Sequence, residues 1–380
     1  MTRILHVITS LERGGAENHL VELMRGQLAA GHRVAVASLK GDGWWGAELR
    51  RDGIAVSDLG LRRWLDPLAL FRLVRAVRAF RPDVVHGHLP PAEPYAWAAR
   101  RLGAPTAALV ISKHNDDPFG IERGYGLITR RITSRAERMI AISDAVGRFV
   151  VPLGVDPRRI RVVHYGLDGV RWAAPDRASV AALRSAWSGD APDAVVVGCV
   201  ARLVPQKAHD VLLTGFARAA GPAWRLVLVG SGPLEGELRA LAGRLGIAER
   251  VIWAGQRSDM AEVMNAFDLF ALTSIYEGLG LVLLEAMAAG RPVVASAVSA
   301  IPEIVGADGA AGLLVPPRDP DAVAAALRRL ADPATAAACS AAGRARVRSR
   351  FSVAAMVAAT DDVYHQALAE RGRGQTACAG

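Results

Sequence analysis

The chain has 380 residues, of which 51% are hydrophobic and 22% are charged, and its formal net charge is +9. This balance is typical of a folded globular protein and excludes an intrinsically disordered chain. No apolar run reaches about 18 residues, so no membrane-spanning helix is predicted. Three scattered cysteines provide neither a disulfide framework nor a metal-ligand spacing. The chain begins with a predicted strand instead of a signal peptide, so we expect a cytoplasmic protein.

The first half of the chain alternates apolar strands with helices. The glycine pair Gly14-Gly15 separates the first strand from a helix predicted over residues 16–30, as in phosphate-binding βα units. A plain tight turn explains the pair equally well. Strands are predicted at residues 4–9, 33–39, 54–59, 83–88, 109–114, 139–142 and 160–163. The alternation predicts an α/β fold with a doubly wound parallel sheet.

The excess of positive charge lies entirely in this half, where residues 1–172 contain 26 Lys and Arg against 17 Asp and Glu. In a helix predicted over residues 67–81, Arg72, Arg75, Arg78 and Arg81 recur every three residues. A solvated helix face explains this stripe. The alternative is contact with anionic lipid, to which each Arg contributes about 1 kcal/mol. No nucleic-acid-binding motif is present, so we expect no nucleic-acid partner and favour peripheral contact with the inner face of the cell membrane.

Polar side chains end two neighbouring strands of this half. His86 and His88 close the strand predicted at 83–88, and Lys113 and His114 close the one at 109–114. Ligands of open α/β sheets bind at the carboxyl ends of the strands. We therefore expect a cleft at this edge, with His114 as the preferred catalytic candidate, although a single histidine near a strand end is more often structural.

A second βα series begins at residue 194, after a polar segment over residues 173–193 that we interpret as a domain boundary. Its first strand leads into a loop that contains Arg202 and Lys207. Two cations at the carboxyl end of a strand can neutralise a diphosphate, whereas plain surface solvation is the alternative.

A later turn, Gly230-Ser231-Gly232, resembles the start of a nicotinamide fingerprint. Gly236 is one place late for the third glycine of that pattern, and Pro233 lies inside the turn. A nicotinamide-linked dehydrogenase is therefore disfavoured.

The stretch over residues 271–289 combines a strand end, a turn and an apolar helix that begins at about residue 280. The unpaired N–H groups and the dipole of a helix start favour an anion. Carboxylates accept paired hydrogen bonds from sugar diols, and Glu277 in the turn and Glu285 in the helix are placed to do so. The combination predicts a site for a nucleoside diphosphate sugar. The turn itself consists of Glu277, Gly278, Leu279 and Gly280.

The motifs GGAE at residues 14–17, RLVPQK at 202–207, VGSGPLEGEL, EGLGLVLLEAMAAGRPVVAS and IPEIV resemble those of the retaining glycosyltransferases of family 4, also called group 1. The resemblance spans both halves in order. It implies the GT-B architecture: two Rossmann-like domains that face a central cleft, and a final helix that crosses back to the N-terminal domain. We expect domains at 1–172 and 173–352, the returning helix at 353–370 and a disordered tail at 371–380.

The resemblance also assigns roles to residues that match the motifs. It implies that Arg202 and Lys207 hold the donor diphosphate, that Glu277 binds the transferred sugar and that Glu285 binds the ribose. The backbone of the turn would complete the donor site, and His114 would lie near the sugar. Further donor contacts are implied for Gly15, Gly255, Arg257, Gly278, Leu279, Gly280 and Leu281.

Three positions depart from the family pattern. Ala208 replaces the glycine that usually follows the lysine, Ser299-Ala300 replaces a glycine pair, and Tyr165 occupies a place often filled by Asn. We therefore expect local differences in loop geometry and in donor choice.

The expected function is retaining transfer of a hexose from a UDP- or GDP-linked sugar to a glycan or lipid-linked acceptor, with no metal and no other cofactor. The only Asp-x-Asp spacing noted, Asp319-Pro320-Asp321, is typical of a helix start. The alternatives are a sugar-nucleotide epimerase of the same architecture and, from another class, the disfavoured dehydrogenase.

Overall fold

The structure is a computed structural model that describes residues 1–377 except 13, 64–65, 115–130, 133, 153, 190, 192 and 220. The chain divides into two compact units. The first contains Met1–Gly166 together with Val353–Gly380, and the second contains Leu167–Ser352. Among the described residues, no helix has both the length and the apolar character that crossing a bilayer requires.

The first unit is built on a seven-stranded parallel sheet with the order β3-β2-β1-β4-β5-β6-β7. Its strands read as apolar runs because helices cover both faces. The strands are β1 Arg3–Ile8, β2 Arg33–Ser38, β3 Ala55–Asp58, β4 Val84–His88, β5 Ala108–Lys113, β6 Arg138–Ala141 and β7 Ile160–Val162. The described helices are α1 Gly15–Ala29, α2 Gly46–Arg51, α3 Pro67–Phe80, α4 Ala92–Gly103, α5 Asp144–Val150 and, from the end of the chain, α15 Val353–Ala377.

The second unit has a six-stranded sheet with the order β10-β9-β8-β11-β12-β13, again all parallel. Its strands are β8 Val195–Val200, β9 Trp224–Val229, β10 Val251–Gly255, β11 Leu269–Leu272, β12 Val293–Ser296 and β13 Leu313–Val315. Its helices are α6 Gly169–Ala173, α7 Arg177–Ser188, α8 His209–Ala219, α9 Glu235–Arg244, α10 Met260–Asn265, α11 Leu281–Ala288, α12 Ile301–Val305, α13 Pro320–Leu330 and α14 Pro333–Arg350.

The final helix, α15, belongs to the first unit. Its Tyr364 is 1% exposed, and the hydroxyl lies 2.8 Å from Nδ1 of His86 on β4. A Cβ on Gly26 of α1 would lie 2.6 Å from Val357, so a glycine is needed where the two helices approach. The predicted return of the last helix is thus confirmed. The expected disordered tail is wrong for residues 371–377, because the helix continues to Ala377.

The segment over residues 173–193 is part of the second unit and not a linker. Arg184 Nη1 donates a hydrogen bond to Asp268 Oδ2 at 2.5 Å, and the Trp187 ring stacks on Phe267 with centroids 5.5 Å apart. The chain enters and leaves this unit side by side, since Leu167 N donates to the Phe351 carbonyl at 2.8 Å. The first boundary therefore lies at residue 166, six residues before the expected one.

Candidate functional site

The order of each sheet reverses at a switch point, which is where open α/β sheets bind ligands. In the second unit β8 and β11 are neighbours although three helices and two strands separate them in the chain. The loop with Arg202 and Lys207 follows β8, and the turn with Glu277 follows β11. The topology therefore brings these two predicted segments together.

The two segments are joined by backbone and side-chain hydrogen bonds. Ile275 N donates to the Gln206 carbonyl at 2.8 Å, and Gln206 Nε2 donates to the Tyr276 carbonyl at 3.0 Å. Thr273 Oγ1 donates to the Ala208 carbonyl at 2.9 Å. Because each bond joins the loop after β8 to the end of β11, the two segments hold a fixed geometry.

Lys207 and Glu277 form an ion pair at this junction. Lys207 Nζ donates to Glu277 Oε1, and Ser274 Oγ donates to the same oxygen at 2.6 Å. The Glu277 and Lys207 side chains are 9% and 14% exposed. By contrast, Arg202 is exposed, and no ion pair to it is found in the part of the chain that the structure describes. Sequence reasoning missed Ser274, since one hydroxyl three residues before Glu277 carries no signal of its own.

The loop with Arg202 and Lys207 is packed against the Gly230-Ser231-Gly232 turn. A Cβ on Gly230 would lie 2.1 Å from the Ala201 carbonyl oxygen, and one on Gly232 would lie 2.4 Å from that of Leu203. Leu203 N also donates to the Ser231 carbonyl at 2.9 Å. These glycines are needed for backbone packing, which explains the partial resemblance to a nicotinamide fingerprint.

The helix after the turn, α11, begins at Leu281, one residue later than expected. Gly280 is its N-cap residue with φ 88° and ψ 54°, a left-handed conformation that favours glycine. No side chain caps the helix start, so its first N–H groups remain available to an anion. Leu279 is 2% exposed and packs in the core, so it can contribute only its backbone to a ligand.

Glu285 lies half-buried on α11. Burial raises the pKa of its carboxyl from 4.5 to about 7, and the nearby charge of Arg171 partly opposes the shift. Arg171 is on α6, which packs on α11. Sequence reasoning missed Arg171, because α6 precedes the first strand of this unit and nothing in its spacing points to Glu285.

The end of β10 provides Gly255 and Arg257. Gly255 has φ 62°, and its carbonyl accepts from Gly230 N at 2.8 Å. Arg257 forms an ion pair with Asp259, with Nε to Oδ1 at 2.9 Å. These residues lie on the loop beyond the Gly230 turn, at the same carboxyl edge of the sheet as Lys207.

In the first unit, Gly15 begins α1 at the switch point between β1 and β4. A Cβ on Gly15 would meet no atom within 4 Å, whereas one on Gly14 would lie 2.2 Å from Glu17 Oε2. Ser10 Oγ donates to Glu17 Oε1 at 3.2 Å. Burial raises the pKa of Glu17. A side chain at Gly15 therefore has open space, while one at Gly14 would only displace the end of the Glu17 side chain.

The predicted cleft residues His86 and His88 are fully buried, which corrects the expectation that they line a cleft. His6 on β1 is the register partner of His86 on β4, and it lies in the same interior. The His6 Nδ1 to His88 Nε2 distance is 2.9 Å, and the His88 Nδ1 to His114 Nε2 distance is 3.2 Å. His6, His88 and His114 thus form a hydrogen-bonded row inside the unit.

The direction of this row follows from its Gln27 end. His6 Nε2 lies 2.8 Å from the Gln27 amide oxygen, which can only accept, so His6 donates through Nε2. In a row of neutral rings, His88 must then donate through Nε2 to His6, and His114 must donate through Nε2 to His88. The Tyr165 hydroxyl must donate to His114 Nδ1 at 2.6 Å. Burial lowers the pKa of His6 to about 4 and that of His114 to about 3. All members are therefore neutral near pH 7.

His6, His86 and His88 have nitrogen atoms within 4.8 Å of one another, a spacing that could suit a metal ion. Both nitrogens of each ring already have hydrogen-bond partners. His86, for example, bonds Tyr364 at 2.8 Å and Ser112 at 2.7 Å. The cluster is a closed polar network, which explains how histidines can be buried at so little cost.

Comparison with known proteins agrees with this architecture. Residues 13–171 match the profile of Glycosyltransferase Family 4, and residues 194–332 match that of Glycosyl transferases group 1. D-inositol 3-phosphate glycosyltransferase of Mycobacterium marinum is 35% identical over 277 residues, which cover 67% of this chain and 57% of that protein. The enzyme of the same name from Mycolicibacterium gilvum is 36% identical over 310 residues, 76% of this chain and 67% of that protein.

Solved structures show the same fold. Anabaena Alr3699/HepE in complex with UDP and glucose has a TM-score of 0.85 at 24% identity, over 95% of this chain and 99% of that one. Its complex with UDP has a TM-score of 0.83 at 25% identity, over 95% and 98%. Two Rossmann-like units with parallel sheets define the GT-B class of glycosyltransferase folds. The chain belongs to glycosyltransferase family 4, the group 1 glycosyl transferases, as its motifs predict.

Proposed function

We propose that this chain is a retaining hexosyltransferase that uses a UDP- or GDP-linked sugar as donor and a glycan or lipid-linked molecule as acceptor. The observation that carries the proposal is the Lys207–Glu277 pair at the switch point of the second sheet, in front of the uncapped start of α11. This arrangement combines a cation, free N–H groups and a sugar-binding carboxylate at one edge. A nucleoside diphosphate sugar requires all three.

Departure of the diphosphate is the demanding step of glycosyl transfer, since negative charge develops on the leaving group. In the proposed mechanism, exposed Arg202, Lys207 and the N–H groups of Gly280 and Leu281 stabilise that charge. Binding of the diphosphate draws Lys207 away from Glu277. Glu277 then accepts hydrogen bonds from hydroxyls of the transferred sugar, while Glu285 accepts them from the ribose.

The remaining predicted residues have supporting places in this scheme. Gly255 and Arg257 would lie near the base, and Gly15 would be a donor contact contributed by the first unit. His114 would lie near the sugar, but both of its ring nitrogens are hydrogen-bonded internally. We therefore propose that His114 shapes the site instead of transferring a proton. Retention follows from attack on the face that the diphosphate leaves.

Metal-independent transfer is supported by the state of the Asp-x-Asp pair. Asp319 caps α13 by accepting from Ala322 N at 2.9 Å, and Asp321 pairs with Arg218 at 2.8 Å. Both carboxylates therefore already have partners, one as the N-cap of α13 and the other in an ion pair on its first turn. The cations and N–H groups named above can supply the positive field that a divalent ion supplies in other transferases.

The choice of substrates is supported by relatives only. UDP in the HepE complex favours a UDP-linked donor. The name of the mycobacterial relatives adds an inositol phosphate to the acceptors that need testing. Peripheral membrane contact is supported by α3, on which Arg72, Arg75 and Arg78 are exposed and Phe71 is 64% exposed. The C-cap residue Arg81 is exposed as well.

The test is a donor screen followed by product analysis. A ligand that binds only the folded state raises the melting temperature, so UDP- and GDP-linked hexoses are compared with NAD by thermal shift. The donor that binds is then supplied in labelled form with glycan, lipid-linked and inositol phosphate acceptors, with and without EDTA. We expect label in the acceptor, in the α-configuration for an α-linked donor, at equal rates with EDTA.

Lys207→Ala should abolish transfer, and Lys40→Ala, which removes an exposed lysine of the first unit, is the matched control. Rearranged donor without labelled acceptor would instead indicate an epimerase. NAD binding without nucleotide-sugar binding would indicate a dehydrogenase.

A further inference from the structure

Two adjoining cavities lie along α4 in the first unit. An apolar cavity of about 540 Å³ lies beside the first half of the helix, and a polar cavity of about 800 Å³ lies beside its end. Trp97 and Arg135 line both. The polar cavity also contains Glu137 and Arg159, which directly precede β6 and β7. It therefore lies at the amino edge of the sheet, opposite the edge with Gly15 and His114.

The polar cavity has an excess of positive charge. Its two carboxylates already have cationic partners, because Glu137 pairs with Arg100 at 3.6 Å and with Arg371 at 3.5 Å, and Glu370 pairs with Arg138 outside the cavity. The cations that line it are Arg100, Arg101, Arg135, Arg159 and Arg371. Five guanidinium groups against two engaged carboxylates favour a multiply charged anion, since guanidinium matches phosphate geometry.

Arg100 adds an independent sign of a ligand. Its side chain is 6% exposed, and its Nε has no hydrogen-bond partner among the described residues. Burial lowers the pKa of Arg100, and the positive charges of Arg371 and Arg101 lower it further, against the opposing effect of Glu137. A buried cation among other cations is costly, and an anion in the cavity would offset that cost.

The apolar cavity is lined mainly by Pro67, Leu70, Pro94, Tyr95, Trp97 and Ile132. The guanidinium of Arg135 lies 5.6 Å from the centre of the Trp97 ring. The two cavities therefore meet at a contact between an arginine and a tryptophan. Close by, α3 exposes 55% of Leu68 and 64% of Phe71. Large apolar side chains exposed one turn apart on a helix are typical of a surface that contacts a partner or a membrane.

We propose that these cavities together bind an anionic membrane lipid, with its phosphate or diphosphate group among the arginines and a hydrocarbon chain along Leu70 and Trp97. The lipid, and not a free phosphate, is the occupant, because the charged cavity adjoins an apolar one and shares Trp97 and Arg135 with it. The site lies at the opposite edge of its sheet from Gly15 and His114 and anchors the enzyme independently of transfer.

The test measures binding of the full chain to vesicles of brominated phosphatidylcholine with and without phosphatidic acid. Bromine quenches tryptophan on contact, so the wild type should bind only the acidic vesicles and lose fluorescence. The pair Arg101→Glu and Arg135→Glu should weaken binding at least about tenfold. The matched pair Arg33→Glu and Arg51→Glu, two exposed arginines of the same unit outside the cavities, should weaken it less than about threefold.

Trp97→Phe should keep binding but lose most of the bromine quenching. Equal losses for the two arginine pairs, or unchanged quenching in Trp97→Phe, would overturn the proposal. Binding of inorganic pyrophosphate that is lost in Arg101→Glu and Arg135→Glu, without any binding to the acidic vesicles, would also overturn it, in favour of a free-anion site. Transfer to a soluble acceptor should be unaffected by these variants, so failure of this proposal is separable from failure of the proposed function.

Discussion

Lys207 and Glu277, 70 residues apart in the chain, are direct hydrogen-bond partners at the junction of β8 and β11. Neither side chain is more than 14% exposed, and Ser274 completes the contact. The two opposite charges neutralise each other. In the proposed function, the donor diphosphate would replace Glu277 as the partner of Lys207, and sugar hydroxyls would replace Lys207 as the partner of Glu277.

Disruption of this pair should affect transfer more than folding. Lys207→Ala and Glu277→Ala should each lower the rate by about 100-fold or more, because the first removes charge stabilisation at the leaving group and the second removes the carboxylate that orients the transferred sugar. In a double-mutant cycle the two residues should couple by about 1–3 kcal/mol in the free energy of unfolding. Initial rates and urea unfolding measure both effects. Wild-type rates in either single variant would contradict the assigned roles.

The stability of the enzyme should report the raised pKa of Glu285. Between pH 4.5 and about 7 the unfolded chain releases this proton and the folded chain retains it, so stability falls as pH rises through this window. After allowance for partial exposure, the loss is on the order of 1–2 kcal/mol. Glu285→Gln should remove it. The measurement is the difference in unfolding free energy between the two proteins at several pH values, and a difference that does not vary with pH would refute it.

Ala208 and Ser299 stand where the family usually has glycine, and both have left-handed backbones, with φ 44° and 45°. Ala208→Gly and Ser299→Gly should each stabilise the protein by roughly 1 kcal/mol, because only glycine adopts this conformation without strain. Ala182→Gly, on an exposed position within α7, is the control and should destabilise by about 1 kcal/mol. Thermal unfolding decides, and a loss of stability in Ala208→Gly would contradict the argument.

The buried histidine row should be observable by NMR. The side-chain ¹⁵N shifts of His6, His88 and His114 should show neutral Nε2–H tautomers at pH 7, with no titration of His6 above about pH 4. Tyr165→Phe removes the donor to His114 Nδ1, which should cost about 1–3 kcal/mol of stability. A normal titration of any of these three histidines near pH 6.5 would show that the row is open to solvent.

Much of this protein could be predicted from local sequence. Apolar runs separated by glycine turns predict two doubly wound units, and the helix that starts after Gly280 is found within one residue of its expected position. The residues at carboxyl ends of strands were also predictable, since parallel topology places all of those ends at one edge. The pattern does not say which of them face a ligand. His86 and His88 are two residues apart on one strand and both lie in the interior.

What the sequence by itself determined is therefore the fold class and the set of residues at each sheet edge, because strand and helix periodicity are local properties. Only the tertiary structure decided which partners they have. The bond from Lys207 to Glu277, the row from Tyr165 to Gln27 and the two cavities at Trp97 depend on strand order and register. Those are set by the packing of segments far apart in the chain, and no spacing within a single segment records them.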